Sequence, residues 1–256
     1  MNRIQNAFTN KKAFIGFLTA GDPHIGATAG LILDMIAGGA DLIEIGIPFS
    51  DPVADGPVVD AANIRALKQG VTVDDVFEAV RQVREKNDTV PLTLLSYLNP
   101  VYFYGYEAFF AKCKEVGIDG IIIPDIPFEE SGEVTAVADK YGIAFITLVA
   151  PNSAERIPLI CKNAKGFVYL VSSMGVTGIR EQLELNVKPQ VEAIRAVTDT
   201  PVAIGFGISR AEQAADLVQY TDGVIVGSAI IDIIAKHGEN AGSHLREYIS
   251  NIKKHI

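Results

Sequence analysis

Cysteine is scarce in this sequence: of 256 residues only Cys113 and Cys161 carry a thiol, far apart and outside any CxxC spacing. That pattern supports neither a disulfide framework nor a redox motif, and it suits reduced, buried thiols in a cytosolic protein. Long apolar runs are missing as well. No stretch of 18 consecutive apolar residues occurs, so no membrane span is expected. The opening MNRIQNAFTNKKAFIGF has neither the apolar segment nor the small-residue cleavage site of a signal peptide. The expected location is therefore cytoplasmic. Basic clusters are absent too. Against 31 Asp and Glu stand 22 Lys and Arg, a formal charge of −9, which argues against nucleic acid or an anionic membrane as partner. An anionic substrate would have to be held by local donors. His24, His237, His244 and His255 make no metal-ligand spacing, and no GxSxG, GxxxxGK[ST] or strand-to-helix GxGxxG occurs.

What the chain does have is hydrophobic sequence, 48% of it, cut into short runs. Eight of these, at 13–21, 41–47, 91–97, 120–125, 144–150, 166–172, 201–207 and 222–228, are too continuous for half-exposed strands. They read as parallel strands covered on both faces. Between and after them, residues 25–38, 73–86, 106–116, 130–141, 153–163, 188–198, 210–220 and 228–236 carry helical patterns. The helix at 73–86 opens on Thr72-Val-Asp-Asp, a good N-cap with acids in the first turn. No linker or repeat interrupts the alternation. Eight strand–helix units predict an α/β chain folded as one (β/α)8 TIM barrel domain over residues 1–256, with a doubly wound open sheet as the alternative. Residues 2–9 are expected to add a short helix plugging the bottom of the barrel.

In such barrels the chemistry lies at the C-terminal ends of the strands. Glu44 stands inside the second apolar run, where an ionised carboxylate is costly unless paired or open to a cavity. A buried salt bridge would explain it; so would general acid catalysis, because burial raises a carboxyl pKa toward neutrality. Asp51 and Asp55 follow on a long Pro/Gly-rich loop, each alone explicable as a turn or cap residue. Beside Glu44, either offers a second carboxylate in differing surroundings, a basis for dividing acid–base and orienting work. The stretch Ser172-Ser-Met-Gly-Val-Thr-Gly178 suits a lid, or an ordinary flexible loop. Gly205-Phe-Gly207 and Gly227-Ser228 end the last two strands, where phosphate barrels hold their ligand with main-chain N–H groups and the N-terminus of a short helix. The aromatics Tyr102, Phe103, Tyr104 and Tyr106 suit core or interface packing.

The segments LIEIGIPFSDPVADGPVV, LLSYLNPVYFYG, PDIPFEE, YLVSSMGVTG, GFGIS and GSAI resemble, in order and spacing, motifs of the tryptophan synthase α chain family, and the resemblance spans essentially the whole sequence. It implies cleavage of indole-3-glycerol phosphate to indole and glyceraldehyde 3-phosphate. It further implies Glu44 as the main catalyst and Asp55 as the partner of the indole N–H. By the same resemblance Tyr169 tunes Glu44 and Thr177 is the lid residue that meets Asp55. Phe17, Leu95, Tyr97, Ile122, Leu148 and Phe206 would line the indole pocket; for most of them barrel core is an equal reading. Gly178, Gly205, Gly207, Gly227 and Ser228 would hold the phosphate. Ser173-Met174 precede GVTG where some members carry a basic residue, a departure that bears on lid closure and not on the reaction. The resemblance implies a β subunit as partner in an α2β2 assembly, facing the Asp51 loop, the 99–105 stretch and the lid. Pyridoxal phosphate is expected only in that partner, and no cofactor in this chain. Other readings are a stand-alone indole-3-glycerol phosphate lyase and a non-catalytic phosphate-binding barrel. A different phosphosugar enzyme would need a Schiff-base lysine or a His/Glu pair at the strand ends, which the sequence lacks.

Overall fold

A computed structural model describes residues 2–150, 153–171, 187–205 and 207–256. The eight apolar runs form eight strands: β1 Ala13–Thr19, β2 Leu42–Gly46, β3 Leu92–Leu95, β4 Gly120–Ile122, β5 Ala144–Val149, β6 Lys165–Val171, β7 Val202–Gly205 and β8 Gly223–Val226. Each pairs in parallel with its neighbours, and β8 pairs with β1, which closes the barrel in sequence order. The open-sheet alternative is thereby excluded.

The strands alternate between two cores, which is why their sequences are apolar throughout. Ile43 and Ile45 of β2 face outward into the large cluster shared with the helices. Leu42, of the opposite parity, points inward and packs with Ile15, Ile122, Ile146 and Phe167. Glu44 has the same parity as Leu42 and so also points into the barrel, one layer higher. Below the Leu42 layer lies the expected plug. The helix Arg3–Phe8 is held by a reciprocal capping box between Asn2 and Gln5, and it inserts Ile4 and Ala7 into the inner cluster.

The bottom of the barrel also carries a set of ion pairs. Asp41, Asp119 and Asp222 stand immediately before β2, β4 and β8. Each carboxylate accepts a main-chain N–H from a neighbouring strand: Phe14 at 2.8 Å, Leu92 at 2.9 Å and Val202 at 2.9 Å. Each also meets cations. Asp41 binds Lys11 and Lys253, Asp119 binds Arg3 and Arg84, and Asp222 binds Arg195.

Three helices depart from the sequence expectation. Pro57–Leu67 and Leu98–Tyr104 form where the sequence suggests loops, and Ala241–Lys253 forms from an apparently polar tail. Ala241–Lys253 packs on Ile25–Ala37 and completes the eighth unit. Ser228–His237 is then the extra helix between the eighth strand and its closing helix. The helix expected at 153–163 shrinks to a 3-10 turn, Ala154–Arg156, followed by Ile157–Cys161. Cys113 and Cys161 are buried and unpaired with each other. Among the described residues, no helix is long and apolar enough to cross a membrane.

Candidate active site

At the C-terminal ends of the strands lies a cavity of about 480 Å³. The strand interiors supply its walls: Phe17 from β1, Leu95 from β3, Leu148 from β5 and Tyr169 from β6. Two acids stand at one end, Glu44 on β2 and Asp55 on the loop that follows it. The other end is built from Gly207, Ser209, Gly227 and Ser228, after β7 and β8.

Glu44 is 1% exposed, flanked in register by Phe17 and Thr93. Among the described residues no cation pairs with Glu44, and its buried Oε1 has no hydrogen-bond partner, which leaves the salt-bridge explanation without support. Burial first, and then the nearby charge of Asp55, push its pKa up to about 8. At neutral pH it is a protonated acid facing a cavity.

Asp55 is half-buried, and its surroundings pull in both directions. Burial raises its pKa above the ordinary value; hydrogen bonds from Asn63 and Tyr97 oppose that rise. The Asn63 Nδ2 donates to Asp55 Oδ2 at 3.2 Å. The net direction is upward, yet Asp55 has the donors an ionised carboxylate needs, while the buried Oε1 of Glu44 has none. Environment thus separates the two acids.

Two residues expected in the pocket wall are elsewhere. Tyr97 is 1% exposed and stands behind the Asp55 loop, where its hydroxyl accepts the Ala54 N–H at 2.9 Å and its ring stacks on Phe49. Ile122 is fully buried in the inner cluster beneath the cavity, because its parity and height on β4 place it in the Leu42 layer. Gly205 does not border the cavity either. A Cβ there would lie 2.5 Å from the Tyr169 hydroxyl, so the glycine makes room for that ring. Burial raises the Tyr169 pKa well above its ordinary value, as do the charges of Glu44 and Asp55. Its phenol stays neutral beside them. Thr177, Gly178 and Phe206, with the Ser173-Met174 segment, lie outside the described residues.

At the far end, Gly227 precedes the helix Ser228–His237, whose first turn opens onto the cavity. Main-chain N–H groups and the positive end of a ten-residue helix favour an anion there. Gly207 has φ +73°, a conformation glycine adopts without strain. No lysine or arginine lines the cavity among the described residues. Sequence reasoning misses Asn63, Ser209 and Asp232 here; only Asp232, four residues after Ser228 on one helix face, has a signal in its spacing. Among the described residues, no group of three His, Cys, Asp or Glu could hold a metal.

A profile of the tryptophan synthase alpha chain family matches residues 4–256. The tryptophan synthase alpha chain of Thermoanaerobacter sp. (strain X514) is 47% identical over 262 residues, covering 99% of each chain. That of Lactiplantibacillus plantarum is 48% identical, covering 99% of this chain and 96% of its own. Among solved structures, tryptophan synthase subunit alpha from Legionella pneumophila superposes with a TM-score of 0.91 at 36% identity, covering 100% and 98%. A chain from the tryptophan synthase α2β2 complex of Pyrococcus furiosus superposes at 0.86 and 37% identity, covering 94% and 98%. With the barrel and the cavity's two acids already in place, these matches show that the chain belongs to the tryptophan synthase alpha chain family.

Proposed function

We propose that Glu44 is both the acid and the base of the α reaction in this chain, and that Asp55 stabilises the charge it creates. The reaction splits indole-3-glycerol phosphate into indole and glyceraldehyde 3-phosphate, with no atom gained or lost. One proton must be added to indole C3 and one removed from the side-chain hydroxyl. A single carboxyl can do both. Protonated Glu44 gives its proton to C3, which makes the ring an electron sink. The C3–C1′ bond then breaks as the hydroxyl oxygen becomes a carbonyl, and its proton returns to the Glu44 carboxylate. The group ends as it began, and the protonated ring does the work that an electron-sink cofactor does elsewhere. No cofactor is called for in this chain.

The positive charge on the protonated ring spreads to N1. An ionised Asp55 accepting the N1–H stabilises it where it develops. Phe17, Leu95 and Leu148 give the ring apolar walls, and Tyr169 packs beside Glu44. The phosphate fits the Gly207, Gly227 and Ser228 end, where dipoles substitute for a cation.

The partner is a tryptophan synthase β subunit, which receives the indole in an α2β2 assembly and carries the pyridoxal phosphate. Beside the cavity, Val53, Tyr102 and Phe103 are 80%, 69% and 91% exposed, an apolar surface that suits such a partner.

The observation that carries this reading is the buried Glu44 carboxyl, its Oε1 without a partner among the described residues, facing a cavity whose other end suits an anion. Replacing Glu44 by Gln keeps its size and removes the transferable proton. Indole release, measured with the β subunit present, is expected to fall by about 10³-fold or more with phosphate-ligand binding retained. Near-native turnover would overturn the assignment.

A further inference from the structure

Asn63 is an odd residue to find in its place. It lies in the helix Pro57–Leu67, 3% exposed, between Ala62 and Ala66, which are fully buried. A buried amide is costly unless its polar atoms are used, and its Nδ2 is used on Asp55 Oδ2.

The helix that presents it is braced. Two residues on, Arg65 makes a two-pronged bridge to Asp22, at 2.8 and 2.7 Å, and the Asp22 side chain is 1% exposed. Gln69 Nε2 donates to the carbonyl of Pro23 at 2.6 Å and to that of Gly21 at 3.3 Å. The Gly21 N–H donates in turn to Thr28 Oγ1 at 3.0 Å. The loop after β1 and the helix after β2 are thus locked together, and Asn63 reaches Asp55 from the locked element. Asp55 itself stands on a loop, where nothing in regular secondary structure fixes its carboxylate.

We propose that Asn63 is a positioning residue that orients the Asp55 carboxylate across the cavity for the substrate's ring N–H. The inference rests on the catalytic reading of Asp55 given above. It adds a residue that touches no reacting atom and acts through Asp55. A donated N–H also favours the ionised carboxylate, opposing the burial that raises its pKa.

The test is the pH profile of indole release by the full chain with β subunit present, in Asn63→Ala and Asn63→Asp. Both variants are expected to lose about tenfold or more in kcat with KM changed little, as the carboxylate is released from its aim. In both, the acid limb of kcat/KM moves to higher pH, because Asp55 loses a donor that favours its charge. The shift is larger for Asn63→Asp, since a second acid repels the first. A purely structural role would not move that limb. Should Asn63→Ala fold poorly, the near-isosteric Asn63→Asp carries the test. Asp55→Asn, measured alongside, separates the two claims. Loss of turnover in Asp55→Asn with native rate and native acid limb in both Asn63 variants would overturn the positioning role alone. Retained turnover in Asp55→Asn would overturn the reading of Asp55 and this inference with it.

Discussion

At the N-terminal end of the strands, the carboxylates of Asp41, Asp119 and Asp222 each receive a strand N–H and at least one cation. At the C-terminal end of the same barrel, Glu44 is buried more deeply than any of them and has an oxygen with no partner among the described residues. One set of acids lies in a network that uses their charge; the other acid lies where charge is penalised. Paired carboxylates tie strands and plug together but have no proton to give. An unpaired carboxyl costs stability when ionised and keeps a proton near neutrality. The paired acids at the bottom hold the fold, and the one unpaired acid oxygen at the top gives up some of that stability for chemistry.

The comparison breaks if the two ends exchange their effects. The largest contrast is in rate. Glu44→Gln is expected to lower turnover by about three orders of magnitude, while Asp119→Asn changes kcat less than about twofold. Stability should show the reverse. Asp119 bridges Arg3, Arg84 and the Leu92 N–H, and its loss leaves a largely buried Arg84 with main-chain carbonyls but without its carboxylate. Asp119→Asn is expected to cost about 3 kcal/mol in a denaturant titration. A cost below about half a kcal/mol would mean that the bottom network is ornamental.

Much of this is legible in the sequence. Eight apolar runs mark the strands, because both faces of each are covered, and the same property makes the acid in the second run conspicuous. What periodicity does not carry is height within the barrel. Tyr97 and Ile122 have the expected neighbours in sequence, yet one stands behind the Asp55 loop and the other a layer below the cavity. Asn63 is invisible because its helix buries alanines and an amide, which leaves no apolar stripe to read. Ala241–Lys253 does have one, in Leu245, Ile249 and Ile252, but polar flanking residues hide it. Gly205 looks like a ligand contact, and the sequence does not show that a side chain there would collide with Tyr169.

A smaller effect sharpens the contrast. The native pKa of Glu44 is raised from 4.5 to about 8, so between those values the fold binds a proton that the unfolded chain has released. The resulting stabilisation is full below about pH 4.5, declines as pH rises, and is gone above about pH 8. Glu44→Gln abolishes this dependence. Relative to the parent it should gain stability steadily across that window, by roughly a few kcal/mol at its alkaline end. A constant difference between the two across the window would mean that burial does not hold the proton.

The most direct test is to watch that proton. Infrared difference spectra of the parent protein against Glu44→Gln isolate the carbonyl stretch of one protonated carboxyl. The expected result is a protonated Glu44 at pH 7 that ionises near pH 8, with the alkaline limb of kcat/KM falling at the same point. A Glu44 already ionised at about pH 6 would contradict the account.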